Sequence, residues 1–138
     1  MLDDGIQQQS APFSIRVTAT PYAVWIAVSG ELDLSNHDQL EQVLAGLSLA
    51  GTRHVHLQLS NLSFCDVRGM RHLLAFIRRA ELRGRRVSAH GASRSLRRLC
   101  HLVTDGKVRL DRLAREHTRR SSRGASLLPS SWITPAPS

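Results

Sequence analysis

The sequence has few aromatic residues, few cysteines and no long apolar run, and each shortage excludes a class of protein. Aromatic residues make up 4% of the 138 residues, so a core must be built from aliphatic side chains. The two cysteines, Cys65 and Cys100, are too few for a disulfide framework and do not lie at metal-ligand spacing. No apolar run approaches the roughly 18 residues that a membrane span needs. The acidic N-terminus does not resemble the basic start of a signal peptide. We therefore expect a cytoplasmic protein with reduced thiols, no metal and no membrane segment.

The charge is unevenly distributed along the chain. Residues 1–67 contain two arginines and seven acidic residues, a net charge of −5, whereas residues 68–138 contain seventeen basic and four acidic residues, a net charge of +13. A basic half of this kind can bind nucleic acid, an acidic membrane surface or an acidic protein. Because it offers no aromatic stacking platform and no known DNA-binding motif, we interpret it as a solvated arginine-rich helix face plus a basic tail. The sequence thus argues against a nucleic-acid partner.

Strand and helix patterns alternate along most of the chain. The predicted strands cover residues 13–20, 23–28, 54–59 and 86–89, with a possible edge strand at 107–110, and residues 29–36 are predicted as a turn. The predicted helices run from a cap at Ser35 or Asn36 to Gly51, from the loop at 64–69 to Gly84, and from a cap at Ser93 to the turn at 105–106. This order predicts an α/β fold: a mixed, largely parallel sheet of four to five strands with packed helices.

The ends of the chain differ in composition from its middle. Residues 1–11 are polar and glutamine-rich, and residues 112–138 are basic and then rich in serine and proline. Both compositions are typical of disordered segments. We therefore expect one domain over residues 12–111, between a disordered N-terminus and a disordered tail that begins with a frayed basic helix.

The segment from Leu59 to Gly84 is the most informative part of the sequence. It reads as the end of a buried strand, a short loop at 64–69 and a helix that ends at a left-handed glycine. Apolar residues recur in the helix at spacings near three and four, which places them on one buried face. They are Met70, Leu73, Leu74, Ile77, Ala80 and Leu82.

Three motifs in this order resemble one protein family. Gly30 to Asp33 follows a strand, Leu57 to Asp66 leads into the segment from Gly69 to Leu74, and Gly91 to Ser93 precedes an arginine-rich helix. Over residues 13–110 the chain resembles a STAS domain, and more closely the bacterial anti-sigma factor antagonists built on that domain. The resemblance implies the α/β fold described above.

The resemblance also implies a partner and a site. Proteins of that family bind a serine kinase that also holds a sigma factor inactive, and phosphorylation of one serine on the antagonist ends the binding. An anti-sigma factor or a related serine-kinase-like protein is therefore the implied partner. The residues implied in partner binding are Glu31, Asp33, Asp66, Val67, Arg68, Gly69 and Met70.

The loop of this chain departs from the family pattern at the modified residue. The family loop reads roughly Asp-Ser-Ser/Thr-Gly with the phosphoacceptor before the glycine, whereas this chain has Val67 and then Arg68 at the acceptor position. No serine kinase can phosphorylate either residue, and the charge of arginine is opposite to that of phosphoserine. Arginine also cannot cap a helix, whereas Asp66, two residues before it, can accept from the first turn. If a serine at position 68 is the true cap, an Arg68→Ser change should stabilise the helix start by up to about 1 kcal/mol.

Other polar residues give weaker signals. Glu31 and Asp33 fit either partner contact or turn formation near a helix start, and both interpretations stay open. Cys65 is interpreted as a buried, inert thiol. His54 and His56 are predicted on the more polar face of a strand, without a zinc signature. Since no histidine and acid pair lies in a cleft motif, we expect no enzyme, no catalytic residue and no cofactor.

We conclude from the sequence that the chain is a non-enzymatic STAS regulator that docks on an anti-sigma partner and is not switched by phosphorylation of its loop. Two alternatives stay open: a basic nucleic-acid-associated protein, and a sensory STAS domain that binds a small ligand. A homo-oligomer is compatible with the sequence, which selects neither a ligand nor an oligomeric state.

Overall fold

A five-stranded sheet runs through the part of the chain that the structure, a computed structural model, describes, which is residues 12–110. The strands are β1 (Ser14–Ala19), β2 (Ala23–Leu32), β3 (His54–Gln58), β4 (Leu62–Cys65) and β5 (Arg86–His90). The helices are α1 (His37–Gly46), α2 (Val67–Leu82) and α3 (Arg94–Thr104). The predicted disorder and the frayed helix concern residues outside this range.

The sheet is mixed and mostly parallel, which confirms the predicted fold class. β1 and β2 form an antiparallel hairpin, β2 pairs in parallel with β3, and β3 pairs in parallel with β5. β2 is long enough to pair with two strands on the same side. Its first half pairs with β3 from Ala23 to Ala27, and its end pairs in parallel with β4 from Gly30 to Leu32.

The core is aliphatic, as the shortage of aromatic residues predicts. Ile26, Val55 and Leu57 are fully buried on one face of the sheet, where the helices pack on them. On α2 the predicted apolar stripe is confirmed at five of its six positions, but Leu82 is 72% exposed at the end of the helix. Phe76 is buried on the same face and was left out of the predicted stripe, although it lies three residues after Leu73 and four before Ala80.

The opposite face of the sheet is less polar than the sequence suggests. Trp25 is buried there, and the ring of His56 stacks on it at 3.8 Å between centroids with an interplanar angle of 8°. His56 Nδ1 also lies 3.1 Å from Nε2 of His90. His54 and His56 lie on the more polar face of β3, as predicted, beside Ser88 and His90. His54 is half-buried and His56 is 1% exposed, so this face is covered rather than open to solvent. An imidazole can stack on an indole, and a polarity pattern does not register this.

Residues 29–32 were predicted as part of a turn, but they form the end of β2. Gly30 has a φ of +95° and lies at an irregularity in the β2–β4 register, so the glycine marks a bulge in the strand. Its N–H donates to the Asn61 carbonyl at 2.9 Å. A Cβ at Gly30 would lie 2.8 Å from both Phe13 Cα and the Pro12 carbonyl oxygen. Glycine is therefore needed for both its conformation and its size.

The predicted edge strand at 107–110 is wrong, and the fifth strand is β4, which was predicted as part of a loop. Thr104 Oγ1 accepts a hydrogen bond from the Val108 N–H at 3.2 Å, so the chain after α3 folds back on the helix end. β4 was missed because a four-residue strand is too short for its alternation to be read.

Two helix starts and two helix ends test the capping predictions. Ser93 caps α3 as predicted, since its Oγ accepts from the Leu96 N–H at 3.1 Å. Asn36 occupies the N-cap position of α1 without capping, because its side chain accepts from the Asp33 N–H and donates to the Glu31 carbonyl. α1 ends at Gly46 rather than Gly51, whereas α2 ends before Gly84, which has the predicted positive φ.

The close packing at Gly30 gives a direct test of this bulge. We expect Gly30→Ala to destabilise the fold by about 2–5 kcal/mol, because a positive φ costs about 1–2 kcal/mol and the contact with backbone atoms costs about 1–3 kcal/mol. Gly51→Ala is the matched control, since Gly51 also has a positive φ but no atom within 4 Å of the added Cβ. Chemical denaturation measures both, and equal losses would contradict the close approach.

Candidate functional site

The start of α2 is held by the side chain of Asp66. This residue is the N-cap of the helix, and its Oδ1 accepts a hydrogen bond from the Gly69 N–H at 2.8 Å. Its own N–H donates to the Leu32 carbonyl at 3.1 Å, which ties the helix start to the end of β2. Of the two possible caps, the structure has Asp66 rather than position 68, because Arg68 is already the second residue of the helix.

His37 contacts the predicted site but is not among the residues predicted from the sequence. It is the first residue of α1, it is 4% exposed, and its Nε2 lies 2.9 Å from Asp66 Oδ1. Because Asp66 can only accept here, Nε2 carries the proton. The other ring nitrogen, Nδ1, is buried and has no hydrogen-bond partner among the described residues.

The sequence contained one signal for His37. It lies three residues before Leu40 and seven before Leu44, so it shares the buried face of α1 with them. The ring of a histidine on such a face either forms hydrogen bonds within the core or points towards a functional site. Here it reaches the residue that caps the next helix.

The environment of Asp66 lowers the pKa of its carboxyl group. Burial by itself would raise this pKa, but the hydrogen bonds from the Gly69 N–H and from His37, together with nearby positive charge on His37 and Arg68, lower it below the ordinary value. Asp66 is therefore a carboxylate at neutral pH, which suits a residue at the positive end of a helix dipole.

Gly69 allows the helix start to pack closely on β2. A Cβ at this position would lie 2.7 Å from Cγ and 2.8 Å from Cδ2 of Leu32, which is fully buried. Met70 is also fully buried. Gly69 and Met70, which were predicted to bind the partner, therefore pack against the core beneath the helix start and expose no side chain to a partner.

The exposed residues around the helix start mix apolar and charged side chains. Arg68 is exposed, Val67 is 45% exposed, and Phe64 is 51% exposed beside Glu31 in the β2–β4 register. Asp33 is half-buried, and its Oδ1 accepts from the N–H and the hydroxyl of Ser35 at 3.0 and 2.6 Å. An open groove between α1 and α2 adjoins this surface. It is lined by Leu34, His37, Asp38, Glu41, Arg68, Arg71 and His72.

The remaining candidates for chemistry give no site. Cys65 is buried beside Asp66, and burial together with that carboxylate raises the pKa of its thiol to about 12. A thiol with this pKa is a poor nucleophile at neutral pH. Within residues 12–110 no group of three or more histidine, cysteine or acidic side chains is arranged to hold a metal ion. None of the helices in that range is both long enough and apolar enough to cross a membrane.

The family described as Mlab, STAS domain matches residues 15–113, which is most of the chain. This protein belongs to the STAS domain family. The match confirms the resemblance of the sequence motifs, and it covers both the end of β2 and the start of α2. A search of curated proteins finds no match.

Solved structures similar to this STAS domain include anti-sigma factor antagonists. One from Mycobacterium paratuberculosis is 25% identical, with a TM-score of 0.57, over 78% of this chain and 97% of that chain. SpoIIAA in its unphosphorylated form is 22% identical, with a TM-score of 0.56, over 69% of this chain and 83% of that chain. The phosphorylated form of the Bacillus protein SpoIIAA is 20% identical, with a TM-score of 0.57, over 79% and 98%. The two SpoIIAA structures support the fold alone.

The Asp66 cap predicts a specific acid response. Because the folded-state pKa of Asp66 lies below its unfolded value, its carboxylate stabilises the fold above the ordinary pKa, and this stabilisation is lost as the pH falls through the lowered value. We expect Asp66→Asn, which keeps a capping oxygen, to lose less stability than the native protein as the pH falls from the ordinary carboxyl range through the lowered pKa of Asp66.

Asp66→Ala is the companion variant, and removal of the cap should cost about 1 kcal/mol at neutral pH. Denaturation curves recorded across the pH range compare the three proteins. Parallel pH profiles for the native protein and Asp66→Asn would contradict the account of this carboxylate.

Proposed function

We propose that this STAS domain docks on an anti-sigma factor of the serine-kinase type through the exposed surface at the start of α2. The similar anti-sigma factor antagonist from Mycobacterium paratuberculosis supports the kind of partner. The observation that carries the proposal is the geometry of the helix start. Asp66 caps the helix and Arg68 projects from its first turn into solvent, at the position where the family has its acceptor hydroxyl.

The composition of this surface suits a protein contact. Phe64 and Val67 are exposed apolar side chains, and Glu31 and Arg68 add one charge of each sign beside them. Aromatic residues and arginine are enriched in protein interfaces, where desolvated anchors are surrounded by polar groups. The predicted site also includes residues that stabilise its structure through hydrogen bonds and packing, which are Asp33, Asp66, Gly69 and Met70. Glu31, Val67 and Arg68 are the predicted residues that would contact the partner.

We further propose that phosphorylation of the loop does not regulate this docking. Val67 and Arg68 have no hydroxyl group, and the two nearest serines before the helix are already engaged. Ser63 Oγ donates to the Gly30 carbonyl at 3.1 Å, and Ser60 Oγ donates to Gln58 Oε1 at 2.7 Å. Neither serine lies at the helix start. A guanidinium has the opposite charge to phosphoserine. Arg68 therefore gives the docking surface a positive charge where a phosphorylated relative has a negative one.

Restoring the hydroxyl group tests this proposal. We expect Arg68→Ser to accept phosphate when it is incubated with anti-sigma serine kinases and ATP, whereas the native protein acquires none on residues 60–70. Arg78→Ser is the control, because Arg78 is an exposed arginine on the same helix, away from its start. Peptide mass spectrometry locates the phosphate. Phosphate on residues 60–70 of the native chain would refute the proposal that phosphorylation of the loop does not regulate docking.

The Arg68→Ser variant should fold as well as the native protein. Asp66 remains the cap, and loss of a positive charge near the helix N-terminus is favourable by only about 0.3–1 kcal/mol. Failure of phosphorylation therefore cannot be attributed to unfolding, and thermal unfolding verifies this.

Reversing the charge at the helix start tests the docking surface itself. We expect Arg68→Glu to weaken binding to the anti-sigma kinase by at least about tenfold, because it places negative charge where a phosphoserine would repel the partner. Arg78→Glu changes the net charge by the same amount and should bind like the native protein. Calorimetric titration measures both affinities, and equal effects would mean that the partner does not contact the start of α2.

A further inference from the structure

A stripe of basic side chains runs along the outer face of α3. Arg94, Arg97, Arg98 and His101 follow the helical spacing of three, four and seven residues, so they lie on one side of the helix. All four are exposed. The other side carries Leu96 and Cys100, which are buried in the core and attach the helix to the sheet.

The chain after α3 completes a groove beside this stripe. Asp105 ends the helix in the left-handed conformation and Gly106 follows with a positive φ, which turns the chain back along the helix. Val108 and Arg109 then form the second wall. Among the residues that the structure describes, no acidic side chain lines this groove. The described residues that line it are Arg94, Arg97, Arg98, His101, Val108 and Arg109.

This concentration of like charge is unfavourable for α3 as a helix. Like charges three and four residues apart destabilise a helix, and Arg94 in the first turn opposes the helix dipole. Arg97 Nη1 donates to the Ala92 carbonyl at 2.8 Å, which fixes one guanidinium against the helix start. The packing of α3 needs only its apolar face, so a ligand best explains the convergence of several arginines on a groove.

We propose that this groove binds the phosphate backbone of duplex nucleic acid without reading its sequence. The guanidinium group presents a planar fork of donors that matches phosphate oxygens, and several arginines in a row match a series of phosphates. A concave groove suits a projecting backbone better than a flat membrane surface. The groove contains no aromatic side chain, so it offers no stacking platform for the bases of a single strand.

This inference departs from the sequence analysis, which argued against a nucleic-acid partner. The sequence shows only the number of arginines, whereas the structure brings basic side chains from α3 and from the following segment to one groove, whose lining within residues 12–110 contains no acidic side chain. The groove involves neither the start of α2 nor any residue of the proposed docking surface. The two proposals can therefore fail separately.

Salt-dependent binding of the full chain to a fluorescent 20-base-pair DNA duplex, followed by anisotropy, tests the inference. The double variant Arg94→Gln/Arg98→Gln removes two charges from the groove. Each lost phosphate contact lowers the slope of log affinity against log salt by about 0.9, so we expect a reduction of about 1.8. Affinity at low salt should fall at least about tenfold.

The double variant Arg78→Gln/Arg83→Gln is the matched control, since it removes two exposed arginines from α2. It should retain most of the native affinity and slope. Equal losses in the two variants, or no binding by the native chain, would overturn the inference, because the effect would then be one of net charge alone. Thermal unfolding verifies that both double variants are folded. If Arg94→Gln/Arg98→Gln is not folded, the single variant Arg98→Gln replaces it.

Two competing ligands complete the test. Vesicles that contain phosphatidylserine represent an anionic membrane, and polyglutamate represents an acidic protein segment. We expect both to bind more weakly than the duplex and to depend less on Arg94 and Arg98. Tighter binding of either one, with the same dependence on these arginines, would assign the groove to that partner and overturn the proposal.

Discussion

The carboxylate of Asp66 connects three elements of the structure. It accepts the Gly69 N–H at the start of α2 and lies within hydrogen-bond distance of His37 at the start of α1. The backbone N–H of the same residue donates to the end of β2 at Leu32. Because Leu32 also packs where a side chain on Gly69 would have to lie, the helix start cannot shift without breaking both contacts. The shape of the candidate docking surface depends on this one residue.

This arrangement separates the fold of the helix start from the chemistry of the side chain at position 68. The cap is supplied by Asp66, so a hydroxyl group at position 68 contributes nothing to the start of α2. Arg68 projects into solvent and can differ from the family pattern without disturbing the helix. A STAS domain can therefore keep the docking geometry and lose a covalent switch, and this is the combination that we propose for this protein.

The sequence predicted what depends on local pattern. The apolar stripe of α2, the left-handed Gly84 and the Ser93 cap all follow from spacing and backbone preferences within a few residues, and the alternation of elements indicated the parallel sheet. Contacts between distant segments were missed. The pairing of β4 with β2 requires knowing where β3 ends, and the contact of His37 with Asp66 joins residues 29 positions apart. Gly30 was predicted to lie in a turn, but it forms a bulge because β4 pairs with β2 at this position.

The distribution of charge gives this STAS domain two different surfaces. Glu31, Asp33 and Asp66 lie at the end of β2 and the start of α2, whereas arginines line the groove beside α3. The central proposal concerns the first surface: docking there does not respond to phosphorylation. The most direct measurement is the affinity of the native protein for an anti-sigma kinase before and after prolonged incubation of the complex with magnesium and ATP. We predict the same affinity in both conditions, and a loss of binding that requires ATP hydrolysis would contradict the account.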